Sequence, residues 1–177
     1  MEIERRFLVK NDSWKQEPFI SIDYIWQGYL SFDPKRTVRV RTMGNKGYIT
    51  VKGLRQNGEN EEFETEISYE EAQRMLNLVC FKPVLQKNRY VVRAEKSPLP
   101  ENVVWSFPEP IVNWEIDVYY ADWEGLVIVE IELPEIDLAI ELPDWVGEEI
   151  TNDPTYFNGS LALEIMGEEE WKEIHWS

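Results

Sequence analysis

Residues 1–9 read MEIERRFLV, and the alternation of their charges decides how the whole chain is read. Side chains two apart on a β-strand share a face, so Glu2, Glu4 and Arg6 project together, while Ile3, Phe7 and Val9 lie largely on the other side. Like charges set side by side cost energy. On one isolated outer edge such a row is an ordinary solvated face. Repeated along the chain, it needs another reason.

It does repeat. IDYIWQGYLSF (22–32) has strand composition and closes on the turn DPK. RTVRVRT (36–42) sets Arg39 and Arg41 against Val38 and Val40, and NKG is expected to turn the chain into YITVKG (48–53), where Tyr48, Thr50 and Lys52 oppose Ile49 and Val51. EEFETEIS (61–68) places Glu62, Glu64 and Glu66 against Phe63, Thr65 and Ile67. VLQKNRYVVR (84–93) carries Lys87, Arg89 and Arg93 on one face, NWEIDVYY (113–120) carries Glu115 and Asp117, and LVIVEIELP (126–134) carries Glu130 and Glu132. The signs segregate by strand. A sequence shaped by folding alone would mix them, because directly adjacent like charges repel.

One helix interrupts the strands. Ser68 followed three residues later by Glu71 is a capping-box signature, and Ala72, Met75, Leu76 and Val79 then share a helical face expected to pack outside the sheet. TNDPTYFNGSLALEIM (151–166) reads as a turn and a short helix. The reading is a single domain over 1–165 with an acidic tail at 166–177, and with no linker, low-complexity tract or solenoid repeat.

Bulk chemistry narrows the function. A formal charge of −16 over 177 residues argues against a general nucleic-acid or anionic-membrane surface. With one cysteine there is no disulfide framework or Cys-rich zinc site; Cys80, among Leu78, Val79 and Phe81, reads as an inert buried thiol. His175 is the only histidine, which disfavours a His-dependent triad. No leader or membrane-length apolar run is visible, the patterned strand starts at residue 2, and the cytoplasm is the expected location.

If the sheet closes into a barrel, the segregated faces line one interior. Six bases (Arg6, Arg39, Arg41, Lys52, Lys87, Arg89) against eight acids (Glu2, Glu4, Glu64, Glu66, Glu115, Asp117, Glu130, Glu132) leave that interior two negative, which would repel a phosphate chain; two divalent cations would make it two positive. The acids therefore make sense as metal ligands, and the metal as a partner of phosphate oxygens. All are hard carboxylate donors, which favours magnesium or manganese. Arginine forks suit bidentate phosphate recognition, and with no P-loop in the sequence, side chains must cradle the phosphates.

EIERRFLV, QGYL, RTVRVR, YITVKG, EFETEI, KNRYVV, EIDVYY and VEIEL, in this order and spacing, resemble the CYTH family, the triphosphate tunnel metalloenzymes; GEEITNDPTYFNGSLA (147–162) is similar to the end of its short bacterial members. The resemblance implies a mainly β (α+β) fold: a closed eight-stranded antiparallel barrel with a few helices packed outside, around a hydrophilic tunnel for a triphosphate and a divalent metal. It further implies that Glu2 and Glu4 hold the principal metal with Glu130 or Glu132, with Glu115 and Asp117 near it. Arg39, Arg41, Lys52, Lys87 and Arg89 match the phosphate-binding bases, and Glu64 and Glu66 an acid pair for a second metal or the attacking water. Tyr29 in QGYL could hydrogen-bond near the scissile phosphate, or could equally be a packing tyrosine. One residue departs from the pattern: the family's opening motif ends in lysine, where this chain has Arg6, which keeps the charge but is not a titratable base near neutrality.

The expected activity is metal-dependent hydrolysis of a triphosphate, foremost inorganic tripolyphosphate to pyrophosphate and phosphate. The alternatives are a tunnel-class adenylate cyclase, a thiamine triphosphatase and, outside enzymes, a polyphosphate-binding sensor. The expected partner is a small-molecule triphosphate, with no nucleic acid and no membrane, on a monomer or homodimer.

Overall fold

Period-two alternation becomes strand throughout the structure, a computed structural model that describes residues 3–33, 35–53, 61–93, 112–133 and 139–166. The strands are β1 (Ile3–Val9), β2 (Phe19–Ser31), β3 (Arg36–Met43), β4 (Lys46–Gly53), β5 (Glu62–Ser68), β6 (Leu85–Arg93), β7 (Asn113–Tyr119), β8 (Val127–Leu133) and β9 (Val146–Glu149); the helices are α1 (Tyr69–Leu78) and α2 (Asn158–Ile165). The strands form one sheet in the order β5-β4-β3-β2-β6-β7-β8-β1-β9, paired antiparallel throughout. The β3–β4 turn falls on Gly44 and Asn45, one residue before the expected NKG. Gly44 there has φ +58°, a value glycine adopts without penalty.

An eight-stranded closed barrel was the expectation; the described residues give nine strands with β5 and β9 as the two edges, and no ladder joins those edges. The ninth strand is four residues long and pairs with β1 only at Phe7–Glu149 and Val9–Val146, across a register shift. So short a segment has no alternation for the sequence to display. The sheet is nevertheless strongly curled. In sheet order β1 and β2 lie four places apart, roughly 19 Å on a flat sheet, yet Arg6 of β1 and Arg39 of β3 both act electrostatically on Tyr29 of β2.

Three apolar clusters hold the curl. Outside β1, β6, β7 and β8, Phe7, Trp114, Ile116, Val129 and Ile131 are fully buried beneath Trp14 of a 3-10 turn (Asp12–Gln16) and Trp145. Phe7, on the face opposite the charges, packs under neither α1 nor α2. It lies instead against Trp114 (ring centroids 6.3 Å), which in turn meets Trp145 at 5.6 Å. The second cluster joins α1 to β2, β3 and β4 through Val40, Ala72, Leu76 and Cys80. Gly28 and Gly47 permit this contact: a Cβ at Gly47 would stand 2.5 Å from the Ala72 Cβ, and one at Gly28 would stand 2.9 Å from the Cys80 Cβ. The capping box at Ser68 and Glu71 forms as expected, but α1 ends at Leu78, so Val79 caps it and is exposed instead of packing.

The third cluster corrects the placing of the helices. Helix α2 does not pack outside; its Leu161 and Ala162 join Tyr29, Leu85, Tyr119 and Ile128, which lie on the charged face of the sheet. The turn before α2 comes in over β1, where Ile150 N–H donates to the Arg6 carbonyl. No helix of the described residues is long and apolar enough to cross a membrane. Past Met166, the expected acidic tail lies outside the described residues.

Candidate active site

Register alone brings most of the predicted charges onto one face. Directly opposed pairs run Glu4–Glu132 and Arg6–Glu130 across β1 and β8, Glu115–Glu130 across β7 and β8, Arg89–Asp117 across β6 and β7, Tyr29–Arg39 across β2 and β3, and Thr50–Glu64 and Lys52–Glu62 across β4 and β5. Opposed residues in an antiparallel ladder point to the same side. The curl turns that side into a concavity whose outer end is charged and whose inner end is closed by α2.

Arg89 is the hub of the first half. Its Nε and Nη2 grip Asp117 Oδ1 and Oδ2 at 2.7 and 2.8 Å, Nη2 also donates to Glu130 Oε2 at 2.7 Å, and Nη1 reaches Glu115. Lys87 donates to Asp117 as well, and both are shut away from solvent. Burial alone would push the Asp117 carboxyl up; Arg89 and Lys87 overcome it and hold the group far below the ordinary carboxylate range. Burial draws the Lys87 ammonium down, and Asp117 restores only part of that loss. Glu115 moves the other way: burial raises it, Arg89 resists, and Glu130 and Asp117 add to the rise.

Arg6 stands at the closed end, 7 % exposed, with Nε and Nη2 both engaged. Nε donates to Glu130 Oε1 at 2.9 Å and Nη2 to the Tyr156 carbonyl at 3.1 Å, while the guanidinium lies 5.7 Å from the Phe157 ring centroid. Arg5, on the outer face, pairs with Glu149 of β9 at 2.7 Å.

The second half is built on β3, β4 and β5. Arg41 Nη2 donates to both oxygens of Glu64 (3.2 and 3.1 Å), Thr50 Oγ1 donates to Glu64 Oε2 at 2.8 Å, and Arg39 Nη2 donates to Thr50 Oγ1 at 3.1 Å. Glu62 lies 2.6 Å from Lys52 Nζ and 3.5 Å from Arg39 Nη2. Burial raises the Glu64 carboxyl, but the Thr50 hydroxyl and the two arginines outweigh it and leave it below its usual value. The Nε groups of Arg39 and Arg41 are buried with no acceptor among the described residues. Buried unpaired donors are expensive, and these two lie on the face where the bases gather, free to meet acceptor oxygens. Arg41 also feels Arg89 across β2, which joins the two halves into one field.

Tyr29 lies between the halves. Its hydroxyl accepts from Gln27 Nε2 at 3.0 Å, which leaves its own hydrogen to be donated. Burial raises this phenol, with Arg39, Gln27 and Arg6 opposing, so the proton stays on at ordinary pH. Glu66 joins neither half; it pairs with Lys46 at 2.8 Å in solvent. Glu4 and Glu132 are exposed at the rim, and Glu2 lies outside the described residues.

Four contributors are additional to the predicted set. Glu62 and Thr50 sit in the alternating rows that the sequence displays, but neither was singled out. Gln27, and Asn158, whose Oδ1 accepts from the Tyr119 hydroxyl at 2.6 Å, have no periodic signal; only the three-dimensional packing places them. The acids suit a hard divalent cation in donor type, with Glu4 opposite Glu132 and Glu115 opposite Glu130. Among the described residues, however, no three are arranged to hold an ion, and Glu115, Asp117 and Glu130 are instead paired with Arg89.

A single-layer antiparallel sheet curled around segregated acids and bases is the arrangement of one known class of domain. A model of the CYTH domain family matches residues 1–161, and the chain belongs to that family. It is 38 % identical over 162 residues to the inorganic triphosphatase of Acetivibrio thermocellus, an alignment covering 91 % of this chain and 92 % of that one. The inorganic triphosphatase of Nitrosomonas europaea is 29 % identical over 171 residues, covering 93 % and 98 %. The crystal structure of the inorganic triphosphatase NE1496 superposes with a TM-score of 0.64 at 28 % identity, covering 94 % of this chain and 97 % of that one.

Proposed function

We propose that this chain is an inorganic triphosphatase, a divalent-metal-dependent hydrolase that cleaves tripolyphosphate to pyrophosphate and phosphate. The observation that carries the reading is the gathering of Arg39 and Arg41 on β3, Lys52 on β4 and, across β2, Lys87 and Arg89 on β6 of one concave face, with two arginine Nε donors buried without an acceptor among the described residues. Triphosphatase is also the activity named for relatives that align over nine-tenths of the chain. In this reading the concavity closes into a tunnel within residues 1–165.

The arginines bind and align the chain of phosphates, because a guanidinium fork matches two phosphate oxygens at once. Lys87 adds a point charge at the tunnel wall. Glu4, with Glu2, Glu132 and Glu130, would hold magnesium or manganese, which when bound polarises the phosphoryl group and offsets its charge. Glu64, held ionised by Thr50 and Arg41, orients water for in-line attack; a carboxylate so well paired is a poor base. Attack forms a P–O bond to water and breaks the P–O bond to pyrophosphate, which departs as an anion neutralised by the bases, while the water's protons stay on the new phosphate or pass to solvent. Tyr29 keeps its proton and donates a hydrogen bond to a phosphoryl oxygen.

The test is a substrate panel of tripolyphosphate, ATP, thiamine triphosphate and pyrophosphate with magnesium, following phosphate and cyclic AMP together. Phosphate release from tripolyphosphate should exceed every other product by orders of magnitude. Abundant cyclic AMP from ATP with little phosphate would transfer the assignment to a cyclase, and tight binding without turnover would make the protein a polyphosphate sensor.

A further inference from the structure

The carboxylates that engage the phosphate-facing bases are not held equally. Glu64 is pinned by a hydroxyl at 2.8 Å and by both of its oxygens on Arg41. Glu62 sits at the start of β5, and its partners among the described residues are two cations, Lys52 at 2.6 Å and Arg39 at 3.5 Å. Its side chain is 27 % exposed, so it can turn away into water at little cost. A carboxylate and a phosphate oxygen demand the same donors at the same distances, and one donor cannot satisfy both in full.

We propose that Glu62 is an internal competitor for the phosphate site. Its carboxylate neutralises Lys52 and Arg39 and must release both before a polyphosphate takes them. When product leaves, Glu62 returns to the same two donors and helps to expel it. The mutual repulsion of Arg39, Arg41 and Lys52 on neighbouring strands supplies the reason for such a group: without a carboxylate there, three cations face one another. Glu62 thereby sets the affinity of the site without touching the reacting atoms. The inference rests on the reading of these bases as phosphate ligands.

Isothermal titration of the full chain with magnesium present, using pyrophosphate and separately a methylene-bridged, non-hydrolysable analogue of tripolyphosphate, tests it. Glu62→Gln removes the competing charge and keeps the shape. It should bind both anions roughly three- to fivefold more tightly than wild type, the upper range for a partly exposed ion pair. Glu61→Gln, which removes the same charge one residue earlier, should change affinity less than twofold. In turnover with magnesium, KM for tripolyphosphate should fall in Glu62→Gln with no rise in kcat. Unchanged or weaker binding by Glu62→Gln, or equal tightening by Glu61→Gln, overturns the competitor role while leaving the phosphate site in place. Failure of all three proteins to bind either anion overturns the phosphate reading itself, and this role with it.

Discussion

Asp117 shows how much of the site rests on single residues. It is fully buried between Arg89 and Lys87, so removing its charge strands two cations. Asp117→Asn should destabilise the fold by about 3–5 kcal/mol, read from urea unfolding at pH 7. The sign of its pH dependence follows from its depressed pKa in the fold. Its stabilisation is complete above the unfolded value, about 3.9, and drains away as pH falls below that toward the folded value. Glu64 acts in the same direction; Glu115, raised in the fold, takes up its proton earlier and offsets part of the loss. Wild type should therefore lose stability steeply below about pH 4, and Asp117→Asn should show a shallower acid limb. Arg6 makes a second case. Lysine could keep the Glu130 pair but could not also reach the Tyr156 carbonyl and lie over Phe157. Arg6→Lys should cost about 1–3 kcal/mol and speed amide exchange selectively over 151–161. The conservation of charge at position 6 was legible in the sequence; its role in fastening the turn before α2 was not, because its acceptor is a backbone carbonyl 150 residues away.

Among the elements, α1 was the most legible and α2 the least. A capping box and an apolar stripe announce α1 and its packing against the sheet. Its close seat depends on Gly47, whose missing side chain would collide with Ala72 and with the Ser68 carbonyl. Gly47→Ala should lower stability by roughly 1–3 kcal/mol through overpacking, with kcat for tripolyphosphate nearly unchanged at a temperature where the variant is folded. Helix α2 was foreseen as a helix, but not on the charged face. Its apolar residues suit the inner end, where Tyr29, Leu85, Tyr119 and Ile128 interrupt the charged rows. Leu85, Tyr119 and Ile128 each sit next to a charged inward position of their strand (Lys87, Asp117 and Glu130), Tyr29 next to Gln27, and a two-residue period cannot say at which level of the concavity the polarity changes. Strand β9 escaped notice because four residues are too few to alternate visibly.

For the molecule as a whole, the contrast is between a net charge of −16 and one face that gathers bases. Bulk charge argued against nucleic-acid and membrane partners, whereas the segregation of sign by strand pointed to the candidate site; what it could not give was the course of the sheet edges, where nine strands stand in place of a closed eight. Turnover should require added magnesium or manganese, and phosphate release should fall to background in excess chelator; undiminished release there would remove the metal from the account. Glu4→Gln should keep the fold, judged by an unchanged unfolding midpoint, and lose most activity across a magnesium titration. The central claim is that the concave face is the triphosphate site, and the most direct measurement is a crystal structure of Glu4→Gln grown with tripolyphosphate and magnesium. The account predicts a linear chain of three phosphates inside the concavity, with oxygens on Arg39, Arg41, Lys87 and Arg89 and with Glu62 turned off Lys52. Tripolyphosphate seated elsewhere, with these four side chains still closed on Glu64, Asp117 and Glu130, would contradict it.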